Sequence, residues 1–327
     1  MTGTYLANKE ATWDDFYARY LEHLDSAYDK AASRKAAILS IKTFVRIAKP
    51  KYMRSINTDK IDEFIGIRRK ETVINKKRGT VRTISPATVN RELRYILAAL
   101  NLAADWNYLN KVPRMRSLKP KEKLPTFVTP EHFAAMVEAC RVATMPTGIP
   151  NVSPAEWWRG LLVMLYMTGW RIGQTLAVRW EDVDLVAETA LSQADDNKGG
   201  RDHETPLHPL IVKYLRQLEG SFSPTVFPWP HNIRTLWAEF ERIQKAATLS
   251  DKSSMPKSGK NGGWYGFHDL RRGFATANAA SMNLFELQGL MQHKSLTTTQ
   301  GYINMANKLN KAVSTLFVPE LRISQTG

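Results

Sequence analysis

Residues 111–127 (KVPRMRSLKPKEKLPTF) hold three prolines and six lysines or arginines, with no apolar period. Each proline fixes its own φ, lacks an N–H and disfavours helix in the residue before it, so no regular element is expected to run through this stretch. It separates two apolar-periodic segments of the 327-residue chain, each long enough to bury a core of its own. The predicted organisation is an N-terminal extension (1–12), a helical domain (13–110), an extended basic linker (111–127), a second domain (128–305) and a tail (306–327).

Charge differs between the two sides of that divide. The chain carries a net charge of +15. Residues 1–120 contain 24 Lys and Arg against 12 Asp and Glu, whereas residues 121–327 contain 22 against 19. A basic surface concentrates phosphates and releases their counterions, so the N-terminal segment reads as a clamp for nucleic acid. The lone cysteine, Cys140, follows Phe133, Met136 and Val137 at helical spacing and is expected to be a small buried hydrophobe. The N-terminus has no apolar signal region, and no stretch reaches the ~18 apolar residues of a membrane span. A cytoplasmic protein that does not contact membranes is expected.

In the N-terminal segment the periodicity is helical. Phe16, Tyr20 and Leu24 share a face, as do Ile38, Ile41, Val45 and Ala48, with a stop near Pro50. Asn57 or Thr58 can cap a third helix through Ile61, Phe64 and Ile65. Ser85-Pro86 opens a fourth, whose apolar stripe is Val89, Leu93, Ile96, Leu97, Leu100 and Ala104. Its other face offers Asn90, Arg91 and Arg94, either a solvated surface or a DNA contact. In the second segment an apolar helix through Leu161 and Leu165 stops at Thr168-Gly169, and another runs from about Ile172 to Trp180. Residues 188–206 read as two short strands around a polar turn at 195–200. Helices resume near Leu210, Ile233, Leu270, Leu284 and Thr297, and residues 250–263 read as a loop.

Four short segments stand apart. Arg171 follows a helix-ending glycine and opens the next helix, where backbone N–H groups converge. Lys198 sits on the hairpin tip. His268 and Arg271, three apart, share a side of a helix buried through Leu270, Phe274 and Ala277. Tyr302 lies in a polar, threonine-rich run that begins at His293.

Together these segments resemble the tyrosine recombinase (phage integrase) family. Residues 167–185 (MTGWRIGQTLAVRWEDVDL) look like its first arginine box, and Asn197–Pro209 like its β-hairpin lysine region. Residues 268–275 (HDLRRGFA) resemble the second box, and 291–305 (MQHKSLTTTQGYINM) the third, including its nine-residue step from histidine to tyrosine. The resemblance covers roughly 128–305; residues 13–110 are similar, less specifically, to the family's core-binding domain. It implies a mostly α fold with a small antiparallel sheet (α+β), an N-terminal helical SAM-like core-binding domain and a tyrosine-recombinase catalytic domain.

The resemblance also implies a catalytic set of Arg171, Lys198, His268, Arg271, His293 and Tyr302. Tyr302 would attack a DNA phosphate to give a 3′-phosphotyrosine, without metal or cofactor. The implied partner is double-stranded DNA with inverted half-sites; the protein would be a monomer or dimer off DNA and a homotetramer in the synapse. With few residues ahead of the first helix, no separate arm-binding domain is expected, which favours a recombinase of a mobile element or of a resolution system over an arm-site-dependent phage integrase. The tail, with Leu309, Val313, Leu316 and Phe317, packs on a neighbouring protomer or on its own domain.

Two positions depart from the family pattern. Gln174 stands where glutamate is usual, three residues after the first arginine. Gln292 replaces the glycine before the third-box histidine, which alters the loop if that glycine serves a positive φ. Nicking and closing of the type IB topoisomerase kind, and a catalytically inactive DNA-binding accessory protein, are alternative activities. His203 and His208 lack companion ligands, so no zinc site is expected.

The charge distribution makes a prediction. A fragment of residues 1–120 should bind duplex DNA, with affinity falling steeply between ~50 and ~200 mM salt, as several phosphate contacts require. Filter binding that located all affinity in residues 121–327 would overturn the clamp.

Overall fold

The computed structural model describes residues 10–28, 30–75, 79–120, 126–196, 200–247, 249, 263–279 and 281–292. The chain forms two compact units, Met1–Lys123 and Leu124–Gly327. The described part is mostly helical, with two small antiparallel sheets. No described helix is long and apolar enough to cross a membrane.

Unit 1 contains α1 (Trp13–Ala27), α2 (Ala31–Ala48), α3 (Thr58–Lys70), a hairpin of β1 (Thr72–Asn75) and β2 (Thr80–Thr83), and α4 (Pro86–Asp105). Side chains fix the helix starts: Thr12, Asn57 and Ser85 accept from the backbone N–H of Asp15, Lys60 and Thr88, and Pro86 opens α4. Phe16, Tyr20 and Leu24 are buried as their spacing requires, and Phe44 and Phe64 complete the aromatic core.

The hairpin departs from an all-helical reading of residues 13–110. Val73 pairs with Arg82 and Ile74 with Val81, the hairpin base is closed by Ile84 N–H on the Glu71 carbonyl, and Gly79 supplies a φ of 62°. Thr72, Val73, Ile74, Thr80 and Val81 crowd a helix but suit a pleated strand.

The buried stripe of α4 is also rotated from the expected one. Ala99 and Ala103 lie inside, Leu97 is 38% exposed, and Glu92 is buried. Glu92 goes inward because Arg68 meets it with two hydrogen bonds, Nε–Oε2 at 2.8 Å and Nη2–Oε1 at 2.7 Å. Arg68 also bonds Glu71, which pairs with Arg46.

Asn90 is engaged within the protein. Its amide donates to the Leu118 carbonyl at 2.8 Å and accepts the Leu118 N–H at 2.9 Å. Val112, Met115 and Leu118 pack against the unit 1 core, so this part of the expected linker is anchored rather than free. Arg91 and Arg94 are exposed.

Unit 2 contains α5 (Pro130–Ala139), α6 (Pro154–Thr168), α7 (Ile172–Ala177), β3 (Val183–Asp184), β4 (Thr189–Ser192), β5 (His203–Pro206), α8 (Pro209–Arg216), α9 (Ile233–Ala246), α10 (Phe267–Asn278) and α11 (Leu284–Leu290). Helix α6 is buried nearly all round and packs against α5, α8 and α10. It starts in a capping box of Ser153 and Glu156 and ends at Gly169, φ 68°. The sheet runs β3-β4-β5, all antiparallel, one strand more than the sequence suggested.

Helix α7 stops three residues short of Trp180. There the backbone turns extended, with Val226 N–H on the Val178 carbonyl and Trp180 N–H on the Pro224 carbonyl. Cys140 is buried, as expected, and burial pushes its thiol pKa up to about 12.

Arg68→Ala would strand a buried carboxylate on α4. This substitution is expected to lower the stability of unit 1 by about 3 kcal/mol, the usual penalty for breaking a buried pair. Urea denaturation checks it; an unchanged midpoint would show that the pair contributes nothing.

Candidate active site

The site grows from the end of α6. The Thr168 hydroxyl bonds back to the Met164 carbonyl and accepts the N–H of Trp170. Trp170 is buried, its indole N–H on Thr205 of β5 at 3.1 Å. The turn between α6 and α7 is thereby pinned to the sheet, with Arg171 the next residue, half-buried, just ahead of α7.

Helix α10 supplies the second group. Its start is held by Asp269, which accepts from Gly266 N–H at 2.8 Å, the Thr126 hydroxyl at 3.0 Å and Arg272 Nη1 at 2.8 Å. Phe267 stacks on Phe240 of α9, centroids 4.5 Å apart, and on Trp158 of α6. This aromatic stack roots the helix start, while His268 stays at the surface. Further along, Gly273 leaves room for a close approach: a Cβ there would lie 2.5 Å from the Val128 carbonyl oxygen and 2.7 Å from the Tyr166 ring.

Arg271 connects the segments. Its guanidinium is buried at 1% exposure and donates to the carbonyls of Gly169 and Met291. Those carbonyls close α6 and follow α11, so a single side chain ties the turn before Arg171 to the residues before His293.

Gln174 makes a second set of ties. The side chain, 3% exposed, donates from Nε2 to Ser192 Oγ at 2.7 Å and to Gln292 Oε1 at 3.1 Å. Its Oε1 faces the Arg171 N–H at 3.5 Å. Gln292 itself adopts φ 51°, so the left-handed backbone expected of a glycine is present without one.

Of the six residues expected to be catalytic, Arg171, His268 and Arg271 are described and lie in one neighbourhood. Lys198, His293 and Tyr302 lie outside the described residues, as do the loop 250–262, the helix near Thr297 and the tail 306–327. Ser192 ends β4 six residues before Lys198, and Gln292 immediately precedes His293.

Sequence reasoning missed the roles of Asp269 and Trp170 in holding these turns. Asp269, three residues after Gly266, occupies the position from which a carboxylate caps a helix start, and that signal was available. A depression of about 920 Å³ lined by Trp180, Asp182, Leu191 and Glu204 includes none of the three described site residues, and its acidic rim is unsuited to an anion.

Partial desolvation, then the cations Arg272, Arg271 and Arg171, lower the His268 pKa from 6.5 to about 4, against the opposing pull of Asp269. The imidazole is therefore neutral at pH 7 and able to accept a proton.

Residues 127–308, more than half of the chain, match the phage integrase family, and the chain belongs to that family. It is similar to tyrosine recombinase XerC of Pediococcus pentosaceus, 26% identical over 208 residues that cover 58% of this chain and 61% of the relative. It is also similar to the integrase of Salmonella phage P22, 20% identical over 226 residues, 67% of this chain and 54% of that one. The matched stretches thus span less than two thirds of these relatives.

In fold, the chain resembles a lambda integrase dimer bound to a COC′ core site, with a TM-score of 0.66 at 17% identity, covering 96% of this chain and 81% of that one. It resembles to the same TM-score and identity the Tn1549 transposon integrase in complex with transposon right end DNA, covering 93% and 98%.

The depressed His268 pKa has a direct test. In the folded protein its ring protons should titrate near pH 4 by NMR rather than near 6.5. Because the neutral form is favoured in the fold, the stability this contributes is complete above pH 6.5 and is lost as pH falls toward 4. Arg272→Gln should move the midpoint upward, and a midpoint near 6.5 in the parent protein would contradict the environment described.

Proposed function

We propose that this protein is a site-specific recombinase that cleaves and rejoins duplex DNA through a 3′-phosphotyrosine at Tyr302, acting on a mobile element. The observation that carries the reading is the pair of arginine segments joined by Arg271, with a neutral histidine beside them. Breaking a phosphodiester without metal requires positive charge and donors at the nonbridging oxygens as negative charge develops there. Guanidiniums supply both in a fixed fork, and five planar N–H donors make holding two carbonyls compatible with holding a phosphate.

In this reading Arg171 and Arg271 bind the nonbridging oxygens, and His293 donates a further hydrogen bond. The Tyr302 oxygen attacks phosphorus as its proton passes toward His268. The bond from phosphorus to the 5′-oxygen breaks, and Lys198 protonates that oxygen. Attack by a 5′-hydroxyl on the phosphotyrosine reverses the sequence with a new partner strand, so no nucleotide cofactor is consumed.

The arrangement of partners follows the same analogy. Solved structures of fold relatives include a lambda integrase dimer on a core site and a lambda integrase tetramer on a Holliday junction. By that analogy this chain binds inverted half-sites as dimers that pair in a tetrameric synapse. Arg91 and Arg94, exposed on α4 of the basic unit, are the proposed DNA contacts there. Asn90, committed to Leu118, is better read as a support of that surface.

The test is covalent trapping. On a nicked suicide substrate the parent protein should form an SDS-resistant adduct, and Tyr302→Phe should form none while binding DNA normally. An adduct persisting in the variant would move the nucleophile elsewhere. Tyr265 is no ready substitute, being buried with its hydroxyl 2.9 Å from His132 Nδ1.

A further inference from the structure

The two departures from the family pattern, 118 residues apart in sequence, touch. Gln174 Nε2 is 3.1 Å from Gln292 Oε1, and the same amide reaches Ser192 and faces the Arg171 N–H. The contact is buried on the Gln174 side. It is also maintained at a cost, because Gln292 holds a left-handed backbone, disfavoured by roughly 1–2 kcal/mol in a residue with a Cβ. Glycine would adopt that backbone freely, but has no side chain to reach Gln174.

We propose that Gln174 and Gln292 act as a coupled positioning pair, fixing the approach to His293 relative to Arg171 and the β4 strand that leads to Lys198. Neither residue is catalytic; each acts through the segments it holds. Arg271 already links the Gly169 and Met291 carbonyls. The glutamine pair adds a side-chain tie one residue beyond Met291 and extends it to the sheet through Ser192. Arg271 therefore sets how close the α6 and α11 ends come. The pair sets their register against the hairpin, a constraint that a single bridging arginine leaves open to rotation.

The proposal rests on the recombinase reading, and the experiment separates the two. Adduct formation on a suicide substrate, duplex affinity and thermal midpoint are measured for the parent, Gln292→Gly, Gln174→Leu, the double variant and Gln174→Glu. Gln292→Gly relieves the backbone and should keep or raise the midpoint, yet slow adduct formation about tenfold with duplex affinity unchanged, the size expected when a buried tie is lost. Gln174→Leu should slow it similarly. The double variant should be no slower than the worse single variant, because both remove one interaction. Gln174→Glu should recover most of the loss, since its carboxylate can accept from Ser192 and from the Gln292 amide.

Parent-like adduct formation by Gln292→Gly would overturn the pair, as would losses that multiply in the double variant or a Gln174→Glu as slow as the leucine. If the parent forms no adduct at all, the recombinase reading fails. The pair is then judged by the thermal midpoints alone, where additive effects of the two single substitutions would reject it.

Discussion

A buried guanidinium organises unit 2. Removing a cation from water is tolerable only when hydrogen bonds replace its hydration, and Arg271 obtains them from the carbonyls of Gly169 and Met291. Each condition then constrains another part of the chain. The Gly169 carbonyl is presented by a left-handed turn, where an added Cβ would come within 2.6 Å of the Phe274 ring, so glycine is needed there for both backbone and space. Met291 must hold its carbonyl toward α10, and it does so as a buried member of a small cluster with Phe274, Ala275, Ala279 and Leu287. The same helix that carries Arg271 thus carries the apolar surface that orders its partners.

The two units draw an arginine out of water in different ways, Arg68 partly and Arg271 fully. Arg68 is met by the carboxylates of Glu92 and Glu71, which cancel its charge and make it a strut between α3 and α4. At Gly169 and Met291, Arg271 is met by carbonyls, which solvate a charge and carry none of their own. The His268 ring registers the difference, since Arg271 and Arg171 both help keep it unprotonated. An arginine that is to meet an anion needs this second solution; a structural joint is better served by the first.

How much of this was legible in the sequence depended on whether the deciding partner was local. Helix starts at Asn57 and Ser85 could be read because each cap acts on backbone three residues away. The turn at Gly169 and the burial of Cys140 were readable for similar reasons. The β1–β2 hairpin was missed, although β-branched residues on both sides of Lys-Lys-Arg-Gly signalled it, because an all-helical pattern was extended across it. The rotated face of α4 was not readable: Glu92 is polar in sequence and buried only because Arg68, 24 residues earlier, comes to meet it. The engagement of Asn90 was not readable for the same reason, its partner Leu118 lying 28 residues on. Arg171, His268 and Arg271 were candidates through family resemblance, whereas the contact between Gln174 and Gln292 had no sequence signal beyond both being departures.

That contact bears on why an amide suits position 174. A carboxylate there could only accept, from Ser192 and from a reoriented Gln292 amide. The glutamine keeps the geometry by other means. Its oxygen faces the Arg171 backbone, and its nitrogen holds Ser192 and Gln292, leaving the local charge to the cations. The cost moves to the backbone at Gln292, whose left-handed conformation is sustained by the side-chain contact it makes possible. A strained residue and a neutral hub are in this sense one feature, and either would be hard to rationalise without the other.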